Sequence, residues 1–424
     1  MKKLILIFLF AFVHLTVHSA QILIPMDDSQ QNHLKAYGIA YFVLTHDVEV
    51  SWLLNYRGGS FMFEHHPEVE EECVIRGISY QVIADVQAGA ILQEIANTEV
   101  NKEEIRLHKV PRIAVYTPPN SLPWDDAVTL ALTYAEIPYD EVYDEEVLDG
   151  KLPLYDWLHL HHEDFTGQFG KFWRAYRNHD WYKEDVRLAE EMARRLGYSQ
   201  VADLKLDVAK RIRDFVAGGG YMFAMCSAPE SIDIALAAEG VDILHEVYNG
   251  TPPDPSAQEK LDFSRTFAFQ NFKIIPDPNI YEKSNIDVPK TGRSETTDFF
   301  SLFEFSAKWD PVPTMLTQNH KTLVKGFMGQ TTAFRHEVIK PTVTILGENR
   351  SKNEARYIHG TLGNGTFTFL GGHDPEDYRH FVGDPPTDLN LFPNSPGYRL
   401  ILNNVLFPAA RKQKQKTQLS GFGL

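Results

Sequence analysis

Cysteine is scarce in this chain: two residues, Cys73 and Cys226, among 424. A disulfide scaffold is thereby excluded, and the two are read as unpaired, Cys73 as core filler and Cys226 as a more reactive thiol. Positive charge is also short. Lys and Arg total 41 against 57 Asp and Glu, a formal charge of −16, and no basic cluster stands outside the last dozen residues. Such a balance repels phosphate backbones and anionic lipid, which excludes nucleic-acid binding as a function class. The apolar run Leu4 to Val13 is too short for a stable membrane span. What remains is a globular composition, 43% apolar and 12% aromatic, in a length that suits two or three domains.

Lys2-Lys3, that apolar run and the ending His18-Ser19-Ala20 follow the order of a secretory signal peptide. Residues 1–20 are expected to be the signal peptide, cut after Ser19 or Ala20 on export and leaving Ala20 or Gln21 first. The mature charge is then 39 − 57 = −18, that of an acidic periplasmic or extracellular protein.

From Gln21 the pattern is a strand (Ile22 to Pro25), a helix (Leu34 to Leu44) and a strand (Val48 to Leu54) ending in the loop Asn55 to Ser60. This βαβ order predicts parallel pairing in an N-terminal α/β lobe over residues 21–108. The main domain is expected over 109–410. There, strands at Arg112 to Tyr116, Tyr139 to Tyr143, Tyr155 to Leu160 and Tyr221 to Met225 alternate with helices. The fold class this predicts is α/β, a doubly wound, mostly parallel sheet with ligands at the carboxyl ends of the strands. Weak periodicity from Gly250 marks an insertion, taken as β-rich and extending to about residue 325. Gly363-Asn364-Gly365 marks a hairpin turn, and 411–424 is a polar, basic tail.

The sharpest local feature runs from Gly218 to Ser231. Three glycines stop a helix whose apolar face carries Val208, Ile212 and Phe215. Tyr221 to Met225 is a buried strand, and Ser227 with Glu230 has the spacing of a capping box that starts the next helix. Cys226 is left on the strand-to-helix junction, the geometry of a nucleophile elbow. N–H groups and the helix dipole there favour a thiolate, and the N–H groups of Ser227 and Ala228 are the expected oxyanion donors. A base is needed, and His373 follows the late hairpin directly. Asp374 or Glu376 would orient its imidazole. His159, His161, His162 and Glu163, at the end of another strand, are expected to line the substrate side. Strand alternation puts His159 and His161 on one face and His162 on the other, so no metal is assigned. No cofactor is expected either.

The glycine-led strand and elbow at Cys226, the hairpin Tyr357 to Gly372, His373 to Glu376 and a closing helix near Leu400 to Leu406 resemble the class I glutamine amidotransferase-like superfamily, which includes trehalose-utilisation-like proteins. The resemblance spans about Pro111 to Ala410. It implies a flavodoxin-like fold and a Cys-His-Glu triad of Cys226, His373 and Glu376. Two positions depart from that pattern. Alanines 224 and 228 replace the glycines that usually flank the cysteine, and His373-Asp374-Pro375-Glu376 is one residue longer than the usual His-Pro-Glu. The whole chain also resembles exported bacterial proteins labelled asparagine synthetase B. That chemistry needs an amino-terminal cysteine and a phosphate loop of the Ser-Gly-Gly-Leu-Asp-Ser kind, and neither occurs here.

Together these features predict an exported cysteine hydrolase acting on an amide or related acyl bond of a small-molecule, sugar or peptide substrate. The competing expectation is a non-catalytic sugar- or peptide-binding module on the same fold, supported by Trp124, Trp157, Trp173 and Trp181.

Overall fold

The computed structural model describes residues 20–119 and 126–410. Residues 1–19 of the expected leader, Trp124 and the tail lie outside them. Among the described residues, fifteen strands form two sheets packed on a shared core.

The first sheet contains β1 (Ala20–Ile24), β2 (Val50–Leu54), β3 (Ser60–Glu64), β4 (Gln81–Ala84) and β5 (Glu103–Leu107), in the order β4-β1-β3-β2-β5. Every pairing in it is antiparallel, against the parallel pairing expected from the βαβ order. The loop after β2 explains the difference. Asn55, Arg57, Gly58 and Gly59 adopt positive φ and fold the chain straight back, and apolar β3 slots between β1 and β2. Those two strands keep the common direction that the crossover helix His33–Thr45 gives them, but they do not touch.

The second sheet contains β6 (Ile113–Tyr116), β7 (Asp140–Val142), β8 (Trp157–Leu160), β9 (Tyr221–Met225), β10 (Phe299–Leu302), β11 (Leu323–Lys325), β12 (Phe334–Arg335), β13 (Thr344–Asn349), β14 (Glu354–Leu362) and β15 (Gly365–Leu370). Its order is β11-β10-β13-β14-β15-β9-β8-β6-β7, with β12 beside β14. From β7 to β15 the neighbours are parallel, and beyond β15 all are antiparallel. The sheet is therefore mixed, not mostly parallel. The switch comes where β14 and β15 are joined by the two-residue turn Gly363-Asn364, with Gly363 at φ +60, as the sequence predicted. The expected β-rich insertion is mostly irregular chain and short helices. Over 250–325 only β10 and β11 are strands, because its Pro- and Asp-rich segments supply turns rather than alternation.

Helices His33–Thr45, Ala127–Tyr134 and Pro396–Leu406 pack together between the two sheets. Arg399, fully buried, donates to Met26 O at 2.9 Å and to Gly58 O, tying the last helix to the first sheet. Helices Val201–Gly218 and Ala228–Ala237 cover the opposite face. Among the described residues no helix is long and apolar enough to cross a membrane.

Candidate active site

The parallel half of the second sheet, β7-β6-β8-β9-β15, brings the carboxyl ends of β6, β8, β9 and β15 to one edge. In such a sheet, ligands bind at that edge near the point where strand order reverses, here between β6 and β8. Each of the four strand ends delivers one group that matters.

After β9 the chain turns at Cys226, whose φ is +52, and enters helix Ala228–Ala237. A non-glycine residue in the left-handed region costs roughly 1–2 kcal/mol, and such strain collects at functional turns. The elbow is held from the neighbouring strand end: Cys226 N–H donates to Gly372 O at 3.0 Å. The predicted capping box does not form. Ser227 Oγ faces Glu163 O at 3.3 Å, while the Glu230 carboxylate accepts from Ser284 Oγ at 2.6 Å and Thr331 Oγ1 at 2.7 Å. Pro229 in the first turn starts the helix without it.

Burial opposes ionisation of the Cys226 thiol. A hydrogen bond with the His373 ring, the charge of that ring, the Gln330 N–H at 3.3 Å from Sγ, and Lys290 outweigh it and hold the thiol below its ordinary pKa. Cys73 is the contrast: burial, with Glu70 adding to it, pushes its thiol up to about 12. It is core filler, as expected, and both cysteines are free.

His373 does not meet either predicted orienting acid. Asp374 accepts from the N–H groups of Glu376 (2.8 Å) and Asp377 (3.3 Å) and from Tyr398 Oη at 2.8 Å, and so shapes the loop. Glu376 bonds Ser395, with burial raising its pKa. His373 Nδ1 instead meets His161 Nε2 at 3.0 Å. His161 Nδ1 lies 3.2 Å from His159 Nε2 and 3.5 Å from Asp126 Oδ1, and His159 Nε2 lies 3.3 Å from Asp126 Oδ2. His159 and His161 are wholly buried, so both belong to this relay and not to a substrate wall. Burial pushes His161 well below its ordinary value, against the pull of Asp126. Burial also works against the Asp126 carboxylate, but His161 and His159 prevail and keep it ionised.

Asp126 escaped the sequence reading. It is the N-cap of helix Ala127–Tyr134, accepting from Val128 N–H at 2.7 Å and Thr129 N–H at 3.1 Å, so its local role is complete without any distant histidine. Only its place after β6, across the crevice from β8, signals more.

Of the two expected oxyanion donors, Ala228 N–H is engaged by His161 O at 3.0 Å, which removes it from that role. His162 and Glu163 do reach a cavity of about 470 Å³, together with Phe172, Trp181, Tyr182 and Lys205. Burial and the Asp126 charge push the Glu163 carboxyl up to about 8, against backbone N–H bonds from His161 (3.0 Å) and Glu163 itself and the Lys205 charge. Lys205 bonds both oxygens of buried Asp144 at 2.9 Å. Of the tryptophans expected to face ligand, Trp181 lines this cavity, whereas Trp157 is core.

No family model matches this chain, and no curated protein matches it. Among solved structures it is similar to two cytoplasmic proteins of Salmonella typhimurium. These share 9% and 13% identity, cover 71% of this chain and all of theirs, and give a TM-score of 0.36 each. A β-galactosidase from Bacillus circulans sp. alkalophilus shares 12% identity over 63% of this chain and 29% of its own, at a TM-score of 0.27. Likenesses of this degree assign neither family nor activity, and the chain is described by its own mixed α/β architecture.

Proposed function

We propose that this protein is a cysteine-dependent hydrolase acting on an amide or related acyl bond, of the class I glutamine amidotransferase-like kind. The observation that carries the reading is a strained elbow cysteine, hydrogen-bonded to a histidine and held below its ordinary pKa at the carboxyl edge of the sheet. His373 takes the thiol proton and Cys226 Sγ attacks the carbonyl carbon. The tetrahedral oxyanion is met by the N–H groups of Ser227 and Gln330, since that of Ala228 is engaged. Collapse expels the amine, which takes the proton from His373 and leaves a thioester. Water then gives a proton to His373, attacks the thioester and frees Cys226. His161 orients His373, and Asp126 fixes His161.

Iodoacetamide labelling across pH, with a panel of amide, ester and peptide substrates, tests this. Labelling of Cys226 well below the pH expected for a free thiol near ~8.5 is expected, as is turnover that Cys226→Ala abolishes. Turnover that survives in Cys226→Ala overturns the reading. A second reading, a sugar- or peptide-binding module, draws on Phe172, Trp181 and Tyr182 around the cavity and on a Cys226 residue only 4% exposed. Binding without turnover, with ordinary thiol pH dependence, would favour it. We further propose export in either case: the leader-like residues 1–20 support a periplasmic or extracellular location, with a mature form beginning at Ala20 or Gln21.

A further inference from the structure

Alternation along an extended strand separates His161 from His162, but β8 ends at Leu160 and the chain turns immediately beyond it. His161, His162 and His373 consequently each present a ring nitrogen, the three lying within 4.8 Å of one another. We infer that these histidines form a site for one divalent transition metal ion of borderline softness, with Zn²⁺ as the probe, and that the ion silences the proposed hydrolase. The inhibitory half rests on that hydrolase reading; the binding half does not.

Four observations support the site. One ligand pair, His161 Nε2 and His373 Nδ1, is 3.0 Å apart. Two nitrogens bound to tetrahedral zinc at ~2.0–2.1 Å sit roughly 3.4 Å apart, so a movement of a few tenths of an ångström admits the ion. It would displace the single proton those nitrogens share, releasing it to water. Second, the far nitrogen of His161 faces Asp126 Oδ1 at 3.5 Å, the carboxylate–histidine support that metal-bound imidazoles use. Third, imidazole triads suit zinc, copper and nickel, and select against magnesium and calcium. Fourth, His162 is half-buried and lines the 470 Å³ cavity, giving the ion an entry path and a fourth, open position for water. With His373 Nδ1 on the metal and the same ring bonded to Cys226, the base has no lone pair left to shuttle a proton.

The test uses the full chain, stripped with a chelator and refilled with Zn²⁺ or Co²⁺. Retained metal after gel filtration, calorimetric affinity and the visible Co²⁺ spectrum are read, with Cys226 labelling measured on the same samples. One equivalent of metal is expected. His162→Asn should weaken affinity at least tenfold, Asp126→Asn, which keeps the helix cap, by roughly 10- to 100-fold, and Cys226→Ser should keep the equivalent. Circular dichroism confirms that each variant is folded. No retained metal overturns the inference, and so does equal retention in His162→Asn, which would locate the ion elsewhere, such as Asp377, His380 and Asp384. If metal is absent while Cys226 still labels at low pH, the hydrolase reading survives alone. If metal binds while labelling is ordinary, the site stands and the inhibitory role falls.

Discussion

Glu163 is the most direct measure of how dry the active-site edge is. Its carboxyl is 7% exposed and is raised from an ordinary 4.5 to about 8, chiefly by burial, then by the Asp126 charge. The folded state therefore holds a proton on Glu163 at pH values where the unfolded chain has lost it. Stability from this group is complete below pH 4.5, falls through the window between, and is gone above about pH 8. Within that window the slope is about 1.4 kcal/mol per pH unit, and the full span is on the order of 5 kcal/mol. Glu163→Gln keeps a neutral group of the same shape that still accepts the His161 N–H. Urea unfolding of both proteins from pH 5 to pH 9.5 isolates the effect. The stability of wild type minus that of Glu163→Gln should fall steadily to about pH 8 and then level off. Parallel curves across the range would mean that Glu163 is ionised and solvated, and the picture of a dry edge around His161 would be wrong.

The identity of the group that orients His373 can be tested directly. Glu376→Gln should leave the pH profile of Cys226 alkylation unchanged, whereas Asp126→Asn should move it to higher pH, because the anion that favours protonated His373 is lost; the opposite pattern would restore the Glu376 triad. Lys205→Met strands the Asp144 carboxylate, 2% exposed, beside the Tyr116 hydroxyl. It should cost roughly 3–5 kcal/mol in urea unfolding, with much of that recovered in Lys205→Met/Asp144→Leu; a loss under about 1 kcal/mol would show the pair to be solvated. At Gly372, φ is +104 and an added Cβ would lie 2.3 Å from the Phe327 ring. Gly372→Ala should therefore destabilise by about 2 kcal/mol or more and abolish low-pH labelling of Cys226, and unchanged labelling would show that the elbow does not depend on this strand end.

The elbow at Cys226 and the histidine that meets it were legible because their signals are local. Glycines 218 to 220, a five-residue apolar strand and Pro229 fix the turn at Cys226 within a dozen residues, and Gly371-Gly372 marks the end of β15 just before His373. The two-residue turn that folds β14 onto β15 was legible for the same reason. The orienting partner was not, since His161 and His373 are 212 positions apart and meet only because β8, β9 and β15 are consecutive neighbours. Asp374 and Glu376 satisfied the expected spacing, yet backbone N–H groups, Tyr398 and Ser395 claim them first. The antiparallel first sheet was hidden by a similar competition. The direction of β2 was readable from the crossover helix, but its neighbour depended on the positive-φ loop that lets β3 return between β1 and β2. In the insertion, low periodicity was the signal itself, and it meant irregular chain rather than short strands.

If the proposed hydrolase reading holds, the relay also explains why the His373-Asp374-Pro375-Glu376 segment can be one residue longer than the His-Pro-Glu it resembles. A triad needs an anion behind its imidazole, and in this fold the anion sits at the strand-order switch. Asp126 is held there by the first N–H groups of helix Ala127–Tyr134, where the helix dipole favours negative charge. His161 passes that orientation to His373 across two strand ends, while His159 is fixed by Phe223 O at 3.1 Å, a backbone group of the strand that leads into Cys226. The Nδ1 side of His161 therefore has its partners, His159 and Asp126, from the β8 end and the segment after β6 and not from the loop after β15. With the acid supplied from β6, no selection on catalytic geometry keeps a carboxylate two residues after the base. The loop carrying Asp374 and Glu376 is then free to lengthen, with its acids engaged in fastening it to the closing helix through Tyr398 and Ser395.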